Sequence, residues 1–328
     1  MTERPRRDRG ETEAETESET ETETETETET ETEARAPVAG LANRGQVGGS
    51  CGMRLGLRAS FAFALAACGS APATPAIDAP SSVDAPGSDG GCAAFAPNAS
   101  PPPPPYAGTA FLDPGIITSA DPTSFVDLTF TGQAPREMFD RRTGAFGTVN
   151  AYLFLARFGA SKTVEIQVNP EFSRAQAEAE ARTYATVVGR LPAFAFRDLD
   201  TMWIHAGRFP FGGGNRNLLI HTAQGEEYTA GGYLEEIFVH EGTHTSIDGD
   251  HGAAARWLEA QAADGTFVST YARDNPTRED VAETMVPYLA QRFRADRLAP
   301  GTVDTIRAAI PNRLRYLDCL GVTMATLP

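Results

Sequence analysis

This 328-residue chain contains five histidines, and two of them, His240 and His244, bound the pentapeptide His-Glu-Gly-Thr-His. In a helix, residues i and i+4 lie one above the other on the same face, so this spacing aims two imidazoles at one point. Glu241 is rotated by about 100° from His240, where its carboxylate reaches a water beside a bound ion rather than the ion itself. Two neutral imidazoles and an adjacent carboxylate suit metal-assisted hydrolysis. The ion, Zn2+ before others, lowers the pKa of water and polarises a carbonyl, and the carboxylate carries the proton. Leu234, Ile237, Phe238 and Val239 precede the motif and predict a largely buried helix. Burying a His-Glu-His set with no cation is costly, so a merely solvated helix face fits poorly.

Catalytic zinc takes three protein ligands and keeps its fourth position for water. The candidates for the third are Asp248, Asp250, His251, Glu279 and Glu283. A metzincin pattern requires Gly at 247 and His at 250, whereas the chain has Ile247 and Asp250, with His251 one place late. The stretch STYARDNPTREDVAETMVPYLAQRF is a better source. Thr277 reads as an N-cap with Asp280 closing a capping box. Glu279 then falls in the first helical turn and Glu283 one turn later on the same face, the spacing of a ligand and of a residue that supports a ligand. Pro287 lacks an amide hydrogen and predicts a kink further along.

HEGTH followed by TYARDNPTREDVAE resembles the gluzincin zinc peptidases, above all the peptidase domain of anthrax lethal factor and related small bacterial gluzincins. The resemblance covers roughly residues 233–293. It implies that His240, His244 and Glu279 bind Zn2+, that Glu241 is the general base and that Tyr271 donates to the developing oxyanion. Glu283 would accept from a ligand imidazole and fix its tautomer. The implied fold is a zincin-like catalytic domain with a mixed sheet, an active-site helix and a later glutamate helix, and the implied substrate is a peptide or protein.

Elements able to position these residues follow from periodicity. Residues 125–132, 149–158 and 162–168 are β-rich, and in the last Val164, Ile166 and Val168 alternate with Thr163, Glu165 and Gln167. Ser173 caps a helix reaching about Val188, with Gly189 beyond it. Two more strands span residues 200–207 and 217–222, and between them Gly212–Gly214 reads as a flexible turn, since it lacks the Lys-Ser/Thr ending of a phosphate loop. Helices are expected over residues 233–246, 251–263 and 277–294. Strands first and helices after give an α+β class. The strand NLLIHT is a candidate to hold extended substrate by main-chain pairing, with His221 at its end. His205 otherwise reads as a strand-end histidine, His251 as a surface residue, Asp248 as a cap or an acceptor from a ligand imidazole, and Trp203 and Trp257 as core.

Upstream of this domain, placed at residues 106–328, the composition changes three times. Residues 1–52 are a Glu-Thr-rich segment whose like charges and missing apolar face predict disorder, or else an over-extended gene start. Residues 53–68 have the layout of a secretory signal: Arg54 and Arg58, the apolar stretch Ala59 to Ala67, and Leu-Ala-Ala-Cys. Nine residues rise only about 14 Å as a helix, too short to span a bilayer. The ending resembles a bacterial lipoprotein box, with Cys68 the lipidated residue, which places the protein at the outer membrane or cell surface, anchored by lipid. Residues 69–105 read as a Pro/Ala/Ser tether. Cys92 and Cys319 could pair as a disulfide in an exported chain. The net charge of −16 supplies no positive footprint for phosphate backbones, which excludes nucleic acid as a partner. Three functions remain: an exported zinc metalloendopeptidase, a non-catalytic zinc-binding surface lipoprotein, and an amidase acting on cell-wall peptides.

Overall fold

Alternation carries the sheet. In the computed structural model, which describes residues 94–328 other than 113, Val164, Ile166 and Val168 are all buried on the core side. They belong to β3 (Lys162–Val168), which follows β1 (Phe125–Asp140) and β2 (Ala145–Phe158) in an antiparallel meander. Then come β4 (Thr201–His205), β5 (Gly212–Gly214) and β6 (Asn217–His221). β4 runs parallel to β3 and β6, and β5 folds back antiparallel on β6, so the mixed sheet has the order β1-β2-β3-β4-β6-β5. Nine helices are described: α1 (Arg174–Val188), α2 (Thr222–Gly231), α3 (Leu234–Ser246), α4 (Asp248–His251), α5 (Ala255–Asp264), α6 (Thr270–Asp274), α7 (Asp280–Phe293), α8 (Thr302–Ala309) and α9 (Pro311–Cys319). The α+β class and the later glutamate helix are both present.

The element that matters most is α3, which packs between β5 and β6 on one side and α7 on the other. Phe238 fixes its depth, with its ring against those of Tyr184 and Phe211. Ser173 caps α1 in a complete capping box with Gln176, as its position suggests.

Several boundaries differ from expectation. The turn expected at Gly212–Gly214 is the edge strand β5. Asn215 and Arg216, at φ +50° and +60°, make the two-residue turn into β6, the left-handed pair a tight hairpin requires. A Cβ at Gly213 would overlap the main-chain carbonyl of Glu241, so only glycine lets this strand lie against α3. NLLIHT is therefore internal rather than the edge, and its five residues 217–221 are all buried. β1 continues to Asp140 through Pro135, which an edge strand tolerates because one side of it needs no ladder donor. α7 starts at Asp280, not Thr277, and Thr277 is exposed and caps nothing. The helix also runs on through Pro287 to Phe293.

The tether likewise ends earlier than residue 105. Phe95 is buried in the core, Asn98 N–H donates to Ala263 O at 2.7 Å, and Asn312 Nδ2 donates to Ala96 O at 2.9 Å. An apolar ring and two polar main-chain groups with partners keep this stretch on the domain. The Glu-Thr segment, the signal with Cys68, and Cys92 lie outside the described residues. Cys319 is disulfide-bonded. Among the described residues no helix is long and apolar enough to cross a membrane.

Candidate metal centre

Helix α3 places its two histidines one turn apart, and Glu279, the residue just before α7, brings a carboxylate to them. His240 Nε2 and His244 Nε2 are 3.1 Å apart. Glu279 Oε2 lies 3.2 Å from His244 Nε2 and 3.5 Å from His240 Nε2. Zinc bonds of about 2.0–2.1 Å at tetrahedral angles separate neighbouring ligand atoms by roughly 3.3 Å. The triangle therefore has the edges of a metal site. Among the described residues these three form the one cluster able to hold an ion, and each offers a single donor atom.

The electrostatics agree. Burial works against a charged imidazole, yet Glu279, Glu241 and Glu283 together raise the pKa of His240 above its ordinary value. Burial is likewise outweighed at His244, which Asp248 and Glu279 hold well above the ordinary range. Glu279 is buried too, which should raise its pKa, but hydrogen bonds from the two imidazoles hold it far below the carboxylate range. The pocket stabilises positive charge at the point the three donors share, and a divalent ion supplies that charge with both imidazoles neutral.

Each of the two imidazoles has a carboxylate behind it. Glu283 Oε1 lies 3.5 Å from His240 Nδ1 and has no other partner, while Glu283 Oε2 accepts from Ala110 N at 2.8 Å and Ser269 Oγ at 2.6 Å. Asp248 Oδ2 lies 2.5 Å from His244 Nδ1. This pattern favours a proton on each Nδ1 and a lone pair on each Nε2, the tautomer a metal needs. One turn before His240, Glu236 is buried and accepts from Ile117 N at 3.2 Å, and burial pushes its pKa up to about 7.

The remaining candidates separate cleanly. Glu241 is half-buried, and its charge acts on His240, His244 and the ring of Tyr228. Tyr271, on α6, hydrogen-bonds to Glu279, and its phenol is pushed up by burial and then by that carboxylate. Asp250 pairs with Arg197 at 2.7 Å. His251 Nδ1 meets Tyr316 Oη at 2.6 Å, so it is a half-buried packing residue rather than a surface one. Trp257 is core, while Trp203 is only partly buried, edge-on to Phe146. Asp248, one turn beyond His244, takes the second of the two roles the sequence offers it, the partner of an imidazole rather than a cap. Ser269 and the Ala110 amide were out of reach of sequence reasoning, because both act on Glu283 through tertiary contacts.

His205 and His221 lie apart from the centre, paired in register on β4 and β6 with rings stacked at 5.4 Å. Their full burial excludes His221 from touching substrate. Burial lowers His205 to about 4, outweighing the opposing pull of Asp140. An unfolded histidine titrates near 6.5, so the unfolded chain binds this proton first and stability falls as pH drops from about 6.5 to 4. We expect up to roughly 3 kcal/mol of this loss to belong to His205. His205→Asn, which keeps an acceptor for Asn169 Nδ2 (3.1 Å), should flatten melting temperature against pH across that window. An unchanged slope would assign the loss elsewhere.

No family model, no curated protein and no solved structure matches this chain.

Proposed function

We propose that this chain is a zinc metallopeptidase of the gluzincin kind, exported and anchored through a lipid on Cys68, that hydrolyses peptide bonds in peptide or protein substrates. The observation that carries the reading is the inward-facing triangle of His240 Nε2, His244 Nε2 and Glu279 Oε2, with Glu241 beside it on the same helix. Zinc held there supplies Lewis acidity, which polarises a carbonyl and acidifies water. The chain's own residues do the rest. Glu241 takes a proton from water and delivers it to the leaving amine. Tyr271, already hydrogen-bonded to a ligand carboxylate, donates its hydroxyl proton toward the carbonyl oxygen as negative charge builds there. Glu283 and Asp248 hold the imidazoles in place. β5, at the edge of the sheet and in contact with the Glu241 main chain, takes the role first assigned to NLLIHT: substrate laid along it as one more strand would bring a peptide bond near the triangle.

A non-catalytic zinc protein would close its coordination with a fourth protein ligand. Two candidates for that place are otherwise engaged, Asp248 by His244 and His251 by Tyr316, which supports the open, catalytic reading. Export and lipid anchoring follow from the signal layout of residues 53–68. The test is metal analysis of the purified chain together with a screen of proteome-derived peptides and cell-wall peptides. About one zinc per chain with cleavage of protein-derived peptides is expected. Cleavage confined to cell-wall peptides would make it an amidase, and zinc without cleavage of either would leave a binding protein.

A further inference from the structure

Ser269 is fully buried, and its hydroxyl is used twice. It donates to Glu283 Oε2 at 2.6 Å and accepts from Ala272 N at 3.0 Å, capping α6. Both bonds lead to the donor triangle by different routes. Through Glu283 the first reaches His240 Nδ1. Through α6 the second reaches Tyr271, whose hydroxyl bonds to Glu279. Glu283 Oε2 receives one further donor, the Ala110 amide at 2.8 Å. With both donors on Oε2, the carboxylate cannot turn, and Oε1 is left for the imidazole N–H. A short O–H bond to a carboxylate is among the stronger hydrogen bonds available to a buried side chain.

The hydroxyl is not what holds the loop itself. Main-chain pairing does that: Tyr106 N to Val268 O at 3.3 Å, Thr270 N to Tyr106 O at 2.9 Å, and Tyr271 N to Gly108 O at 3.2 Å. Resting on the reading that His240, His244 and Glu279 hold a metal, we propose that Ser269 is a positioning residue of that centre. It sets the orientation of Glu283 behind His240 and, through the same oxygen, the helix that presents Tyr271.

A double-mutant cycle tests this in the full chain. Zinc affinity is read by competition with a chromophoric chelator, geometry by the visible absorption of the cobalt(II) form, and turnover by kcat and KM. Ser269→Ala should weaken zinc binding roughly tenfold, as loss of a ligand's supporting partner does, shift the cobalt spectrum, and lower kcat with KM within about twofold. Made in a Glu283→Gln background, the same change should cost little further zinc affinity, because the route to the His240 imidazole is already gone, while kcat still falls through the α6 cap and Tyr271. Wild-type affinity and spectrum in Ser269→Ala, or the same tenfold loss in both backgrounds, overturns the proposal. Ser269→Cys, which keeps the volume but donates weakly, enters the cycle if the alanine chain does not fold. The metal readouts need no substrate. Zinc binding without hydrolysis therefore refutes the peptidase reading while still deciding Ser269, and a wild-type chain that binds no zinc refutes both.

Discussion

Glu241→Gln should lower kcat by a factor of about 10²–10⁴ while one zinc per chain is retained. The amide keeps the length and the hydrogen-bonding capacity of the side chain but cannot take a proton from water. The triangle of His240, His244 and Glu279 does not include Glu241, so removing its charge leaves all three donor atoms where they are. Zinc stoichiometry by mass spectrometry and kcat on a cleaved peptide separate the two effects. Turnover within about tenfold of wild type would move the general base to another group. Loss of zinc would show that Glu241 serves the ion rather than the water.

Glu279→Gln should do the opposite and remove the ion. In the unmutated chain one carboxylate oxygen stands 3.2 and 3.5 Å from two imidazole nitrogens that are themselves 3.1 Å apart. A neutral amide is a poorer ligand, and it also takes away the negative charge that offsets a dication in a buried site. Loss of a supporting partner costs about 10–100-fold in metal affinity, so a direct ligand should exceed 100-fold. Chelator competition measures it, with Glu283→Gln as the internal scale. If Glu279→Gln binds zinc as tightly as Glu283→Gln does, Glu279 is not a ligand and the assignment of the triangle fails.

Much of this centre was legible because it depends on local spacing. The i,i+4 pair on an apolar helix put His240 and His244 together, and the stretch before Pro287 put Glu279 and Glu283 at the start of α7, which packs against it. What could not be read locally depends on contacts far apart in the chain. The pattern from Thr277 to Asp280 satisfies a capping box on paper, yet Asp280 is taken by Arg313 at 3.2 Å and by Gln261 at 3.0 Å, so the helix begins three residues later. Gly212–Gly214 has the composition of a loop, and only the approach of Glu241 explains why a strand there must lack side chains. α2 contains Gly225 in mid-helix, where a Cβ would overlap the hydroxyl of Tyr184. That requirement is invisible without the partner helix. The β1–β2 hairpin runs beyond the expected residues 125–132 and 149–158, and Pro135 is accommodated because β1 is an edge strand with one neighbour.

The pairing of Asp280 with Arg313 reaches beyond the start of α7. Arg313 is fully buried on α9 and also donates to Thr266 O at 2.7 Å, while Asp264 accepts from the main chain of Asn312 and Arg313 at 2.7 and 3.2 Å. The residue next to the carboxylate ligand is thus moored by a helix that leaves the ribosome after every donor of the triangle has been made. On emergence in chain order, a nascent chain holding both histidines and Glu279 has nowhere yet to seat them. An ion taken up at this triangle would then enter late in maturation, once the final helices have docked.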